Sequence, residues 1–223
     1  MIGKILHPPE YEVLKGPLIF LAGPIQGAYE WQSSAIQYIQ AKCPKINIAN
    51  PRRPLESEED DSISNSPIIQ GYSQSSPFGR ATMVEMIVPL EFWLGEGNSH
   101  EDLTAGKTTS SGDFSDEKFN EQADWETFHL RRASTEGCIL FWLAKEYEPI
   151  CDRAYAQTTR FELAEWKMRH ERDGAKLIVG IEKGFTGARY IKRRLSQDCP
   201  EVKICSSLEQ TCKEAIKAVF RKK

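Results

Sequence analysis

Six consecutive apolar residues, Cys138-Ile139-Leu140-Phe141-Trp142-Leu143, narrow the folds open to this chain more than any other stretch. The run is too short to span a membrane, and an amphipathic helix would interrupt it with polar positions. An unbroken run marks a strand covered on both faces, as in parallel sheets layered between helices. The pattern then turns helical, from about Thr158 to Glu171, with Phe161, Ala164 and Met168 sharing a face. Ligands of open α/β sheets bind outside the carboxyl ends of strands, so Glu162, expected in the first turn of this helix, is placed to meet one. The helix dipole favours its ionised form, and an ionised carboxylate in a cleft can act as a nucleophile or stabilise a developing cation. The same residues also read as a capping box, Thr159-x-x-Glu162, in which both side chains satisfy orphan amides of the helix start.

The rest of the chain repeats the alternation. Pro17 to Gly23 reads as a first buried strand, followed by a tight connection and a helix from about Glu30 to Lys42. Lys45 to Asn50 reads as a second strand, stopped by Pro51 and Pro54. A helix from about Glu121 to Ser134, with Trp125, Phe128, His129 and Arg132 on one side, leads into the strand at 138–143. Lys176 to Ile181 and Val202 to Cys205 are further strands, with helices over Ala188 to Leu195 and Leu208 to Phe220. The expectation is a doubly wound α/β fold of the flavodoxin or Rossmann type, a parallel sheet of about five strands with helices on both faces. Residues 55–119 break the pattern, being acidic, serine-rich and glycine-rich except for the apolar stretch Met83 to Leu94, and read as a partly irregular insertion in a single domain over 1–223.

With 223 residues and 40% hydrophobic content, one sizeable core can form. A formal charge of −3 gives no argument for nucleic acid as a partner, and small ligands are expected. The six cysteines form no C-x-x-C pair and no zinc-like spacing with the four histidines, so no metal and no cofactor is expected. No segment has the length of a membrane span or the form of a secretory signal, so the expected setting is reducing and cytoplasmic.

Three strand ends converge on one sheet edge in this topology: Gly23-Pro24-Ile25-Gln26-Gly27, then Asn50-Pro51-Arg52-Arg53, then Lys145 through Glu162. Gly23 and Gly27 would let a ligand approach the backbone, although a simple tight turn uses glycines equally. The stretch is not G-x-G-x-x-G and nothing resembles a Walker loop, which removes support for dinucleotide and triphosphate chemistry. Arg52, Arg53 and Arg160 are candidates for an anionic ligand, or else structural ion pairs. Trp31, Trp125 and Tyr155 are candidates to stack on a planar ligand, with core packing as the alternative.

These segments, Phe20 to Gly27 with Trp31, Asn50-Pro51-Arg52-Arg53, Asp124-Trp125-Glu126 with His129, Ile139 to Leu143 and Thr159 to Leu163, follow in order the pattern that resembles the nucleoside 2-deoxyribosyltransferase-like family. The resemblance covers roughly 17–53 and 120–182. It implies cleavage or exchange of an N-glycosidic bond of a nucleoside or nucleotide, with a free nucleobase or water as acceptor, and a homo-oligomer. It assigns the nucleophile to Glu162, with Glu126 at the family's acidic position ahead of the third strand and Asp124 as the nearby alternative. The candidate substrate contacts from the strand ends and helix start are Gly23, Pro24, Ile25, Gly27, Asn50, Arg52, Arg53, Trp125, Tyr155, Thr159 and Arg160. The chain departs from the pattern at Ala156, where the family often carries an acid six residues before the nucleophile. The alternatives are a nucleoside 5′-monophosphate N-glycosidase, with the arginines on the phosphate, and a binding module without turnover.

Overall fold

The computed structural model describes residues 2–54, 116–151 and 154–221, which belong to one compact unit formed by 1–55 and 114–223. The expected insertion lies outside the described residues up to 115, as does the apolar stretch at 83–94. Asp116 to Phe119 instead open a long helix.

In chain order the elements are β1 (Ile5–Leu6), β2 (Leu18–Ala22), α1 (Trp31–Lys42), β3 (Asn47–Ala49), α2 (Asp116–Glu136), β4 (Cys138–Leu143), α3 (Gln157–Asp173), β5 (Leu177–Ile181), α4 (Ala188–Asp198), β6 (Ile204–Cys205) and α5 (Leu208–Phe220). All strand pairs are parallel, in the order β1-β3-β2-β4-β5-β6. The fold is therefore a doubly wound α/β sheet, with six strands where about five were expected. The extra strand is two residues long and pairs Ile5 with Ile48 and Leu6 with Ala49 at the edge. No helix among the described residues is long and apolar enough to cross a membrane.

The period of two along each strand sorts side chains into two cores. Leu18, Phe20 and Ala22 of β2 join Ile139, Phe141 and Leu143 of β4 beneath α2, α3 and α4, through Trp125, Leu130, Leu163, Trp166 and Leu195. Ile19 and Leu21 join Leu140 and Trp142 beneath α1 and α5, through Trp31, Ala35, Ile39, Cys212 and Ala215. Every residue of β4 is buried, as its unbroken apolar run requires. Gly137, between α2 and β4, lies so close over β2 that an added Cβ would stand 1.7 Å from the Leu18 carbonyl oxygen. Only glycine lets the helix turn into the strand there.

The helix after β4 corrects two readings. Its buried residues are Thr159, Leu163 and Trp166, whereas Phe161 is 74% and Met168 56% exposed. The expected face of Phe161, Ala164 and Met168 is the outer one. The helix also begins at Gln157, its N-cap position held by Ala156 in the left-handed region at φ 55°, with no side-chain cap. Thr159 is thus already inside the helix, the Thr159-x-x-Glu162 capping box is not formed, and Glu162 sits in the second turn rather than the first.

Candidate active site

The strands β3, β2 and β4 are neighbours, so the three loops beyond their carboxyl ends come together. The winding reverses between β2 and β4, the position where doubly wound sheets leave a crevice. Above it, α3 and α2 bring Glu162 and Glu126 face to face, with their carboxyl groups within hydrogen-bonding reach of each other. Burial, followed by the neighbouring Glu126 charge, pushes the Glu162 carboxyl up to about 8. Burial also raises Glu126, opposed by hydrogen bonds from Gln122 and Glu162. Two carboxylates this close and this poorly solvated cannot both ionise, so the pair retains one proton near neutrality, the more basic Glu162 holding it.

Gln122, which no sequence motif flags, organises the pair. Its Nε2 donates to Glu126 Oε1 at 2.7 Å and to the Pro51 carbonyl at 2.9 Å. Its Oε1 accepts from Arg53 Nε at 3.1 Å, while Arg53 Nη2 meets Glu121 Oε2 at 2.7 Å. The guanidinium thus fixes the orientation of the amide, and the amide supplies the hydrogen bond that favours an ionised Glu126. The usable signal was spacing: Gln122 and Glu126 stand four apart, on one face of α2.

The other expected site residues divide sharply. Asn50 is buried and accepts from the Arg52 amide at 3.2 Å. Pro24 accepts the Trp31 indole N–H at 2.9 Å, and Ile25 is half-buried beside it. Gly23 and Gly27 are approached by the protein itself. An added Cβ at Gly23 would meet the Trp142 carbonyl at 2.4 Å, and one at Gly27, which has φ 75°, would meet the Glu148 carbonyl at 3.0 Å and the Tyr155 ring at 3.3 Å. Tyr155 is half-buried on that turn, its hydroxyl donating to the Ala144 carbonyl at 2.7 Å. Thr159 is buried on the sheet side of α3.

Three expectations are corrected. Asp124 is exposed in a shallow groove with Val13, Phe128 and Arg131, because a two-residue step on a helix turns it about 200° away from Glu126. Trp125 is fully buried, its indole N–H donating to the Glu10 carbonyl at 2.8 Å and its ring packed at 4.4 Å from His129, which leaves no face for a base. Arg160 turns away from Glu162, with Nη2 donating to the Thr186 carbonyl at 2.8 Å and the guanidinium over the Phe185 ring at 5.2 Å. Among the described residues no group of acids, histidines and cysteines is arranged to hold a metal ion.

No protein-family model matches the chain, and no curated protein matches its sequence.

Proposed function

We propose that this protein cleaves or exchanges the N-glycosidic bond of a nucleoside or nucleotide, with Glu162 as nucleophile and Glu126 as proton donor and acceptor. The observation that supports the reading is the Glu126–Glu162 pair, two desolvated carboxyls within hydrogen-bonding reach of each other beside the carboxyl edge of a doubly wound sheet. The sequence resemblance supplies the substrate class, and the pair supplies chemistry suited to it.

The steps balance with one proton. As substrate enters and parts the carboxyls, the proton on Glu162 passes to Glu126, where Gln122 remains in contact. A Glu162 oxygen bonds to C1′ while the C1′–N bond breaks, and the departing base nitrogen takes the bond's electron pair and the proton from Glu126. Glu126, now ionised, then removes a proton from water or from an acceptor base, whose oxygen or nitrogen displaces Glu162 from C1′. Splitting the displacement in two, with an anion beside an oxocarbenium-like carbon, is the logic of retaining glycoside cleavage.

The test is base release from deoxynucleosides, followed by intact mass after reaction with 2-fluoro sugar nucleosides. A sugar adduct mapped to Glu162, and at least a thousandfold loss of base release in Glu162→Gln, are expected. Base release unchanged in Glu162→Gln would overturn the reading.

A further inference from the structure

The loop after β3 carries two consecutive arginines that turn to different tasks. Arg53 is engaged by Gln122 and Glu121 on the α2 side. Arg52 lines a cleft of about 390 Å³ on the α1 side, with His7, Glu30, Ser33, Gln37 and Asn50, and Arg53 borders it as well. Its backbone is clamped at both ends, the amide donating to Asn50 Oδ1 at 3.2 Å and the carbonyl accepting from His7 Nδ1 at 2.8 Å. The carbonyl partner requires the proton on Nδ1 of His7, which frees Nε2. Beyond these fixed points, Nη1 of Arg52 is buried and has no hydrogen-bond partner among the described residues. A guanidinium cannot shed its charge, and a buried donor left unmet costs more than an ordinary hydrogen bond returns. Glu30, the one carboxylate on the wall among the described residues, already accepts the Ser33 hydroxyl at 2.6 Å.

We propose that this cleft is a binding site for a phosphoryl group, which Arg52 recognises through its unmet N–H, with Asn50 and His7 holding the arginine in place. A planar fork of donors suits the oxygens of a phosphoryl group. The cleft falls in the size range of sites for small organic ligands, so it accommodates the rest of a phosphorylated molecule. The inference does not depend on glycosidic chemistry, since binding alone reads it.

Calorimetric titration with inorganic phosphate, ribose 5-phosphate and ribose tests it. Ribose 5-phosphate is expected to bind and ribose not to bind. Arg52→Gln should weaken ribose 5-phosphate at least tenfold. Gln37→Glu, which adds a charge to the cleft wall at an exposed position of α1, should weaken it severalfold without touching the core. Equal affinity of wild type and both variants for the phosphorylated probes overturns the proposal. A second arm compares a deoxynucleoside with its 5′-monophosphate in wild type and Arg52→Gln. A monophosphate advantage lost in the variant assigns the phosphoryl group to the substrate. Phosphate binding with no such advantage assigns the cleft to a separate phosphorylated ligand. Should no base be released from any substrate, the titrations still decide the cleft while the glycosidic reading fails.

Discussion

The roles proposed for Glu162 and Glu126 rest on surroundings that differ in the Gln122 hydrogen bond, made to Glu126, and in the Glu165 charge near Glu162. Both lose water, but Gln122 donates only to Glu126, so the shared proton rests on Glu162 and can cross to Glu126 when substrate needs an ionised nucleophile. Glu126→Gln should therefore stop cleavage of nucleosides whose base needs a proton, while sparing sugar transfer from a leaving group that is stable as an anion. Single-turnover adduct formation with both kinds of donor measures this, and equal losses would remove Glu126 from the acid role. Gln122→Ala deprives Glu126 of the donor that favours its charge, so the acid limb of kcat/KM should move to higher pH with a loss of about tenfold, in keeping with about 1.5–3 kcal/mol for a hydrogen bond to a charged group. A uniform fall with no movement of the limb would make Gln122 a packing residue only. In the sequence Glu162 reads equally as part of a capping box, and setting that aside required the start of α3 at Gln157, which only the structure provides. Choosing between Asp124 and Glu126 required the phase of α2, and that phase is set by Trp125, His129 and Ala133 reaching the core, a tertiary fact.

Among the elements, α3 carries Glu162, and its packing decides where that residue points. Leu163, beside Glu162, and Trp166 anchor the inner face at 5% and 3% exposure. Trp166→Ala should cost about 3–5 kcal/mol, whereas Phe161→Ser should stay within about 0.5 kcal/mol, because the Phe161 ring already faces water. Urea denaturation distinguishes the two. If Phe161→Ser cost as much as Trp166→Ala, the helix phase described above would be wrong. Ala156 is the weak point of the element, since an L residue with a Cβ adopts φ 55° at a penalty. Ala156→Gly should raise stability by about 0.5–1 kcal/mol, and an unchanged or lower stability would show that Ala156 bears no such strain. The phase of α3 was misread because its apolar residues lie on both sides and its buried stripe begins with a threonine. The unbroken runs of β2 and β4 left no such choice. β1 escaped notice for a different reason: two residues between a charged start and a proline pair form a strand only because β3 offers them an edge.

At the scale of the whole molecule, parallel order, two cores and a winding reversal between β2 and β4 bring together a carboxyl pair that is a thermodynamic burden on the fold. Removing two acids from water costs stability, and here it leaves a signature in pH. The Glu162 carboxyl titrates near 8 in the folded protein, against an ordinary value of 4.5 expected once the chain unfolds. Below about 4.5 both states carry the proton, and the group makes no difference. Between 4.5 and 8 the unfolded chain releases a proton that the folded one retains, so the folded state loses ground steadily as pH rises; above 8 the loss is complete and the slope ends. Glutamine keeps the shape and hydrogen bonding of the protonated acid without titrating. Wild type and Glu162→Gln should therefore be nearly equal in stability around pH 4.5, with the variant gaining through pH 8 and holding that lead beyond. Chemical denaturation at half-unit pH steps measures the difference directly. Groups such as Glu214 and Asp198, whose lysine contacts hold their carboxyls below the usual range, weaken both proteins alike at acid pH and cancel from it. A difference that did not vary with pH would mean that Glu162 is ionised in the folded protein, and the shared proton on which the mechanism turns would not exist.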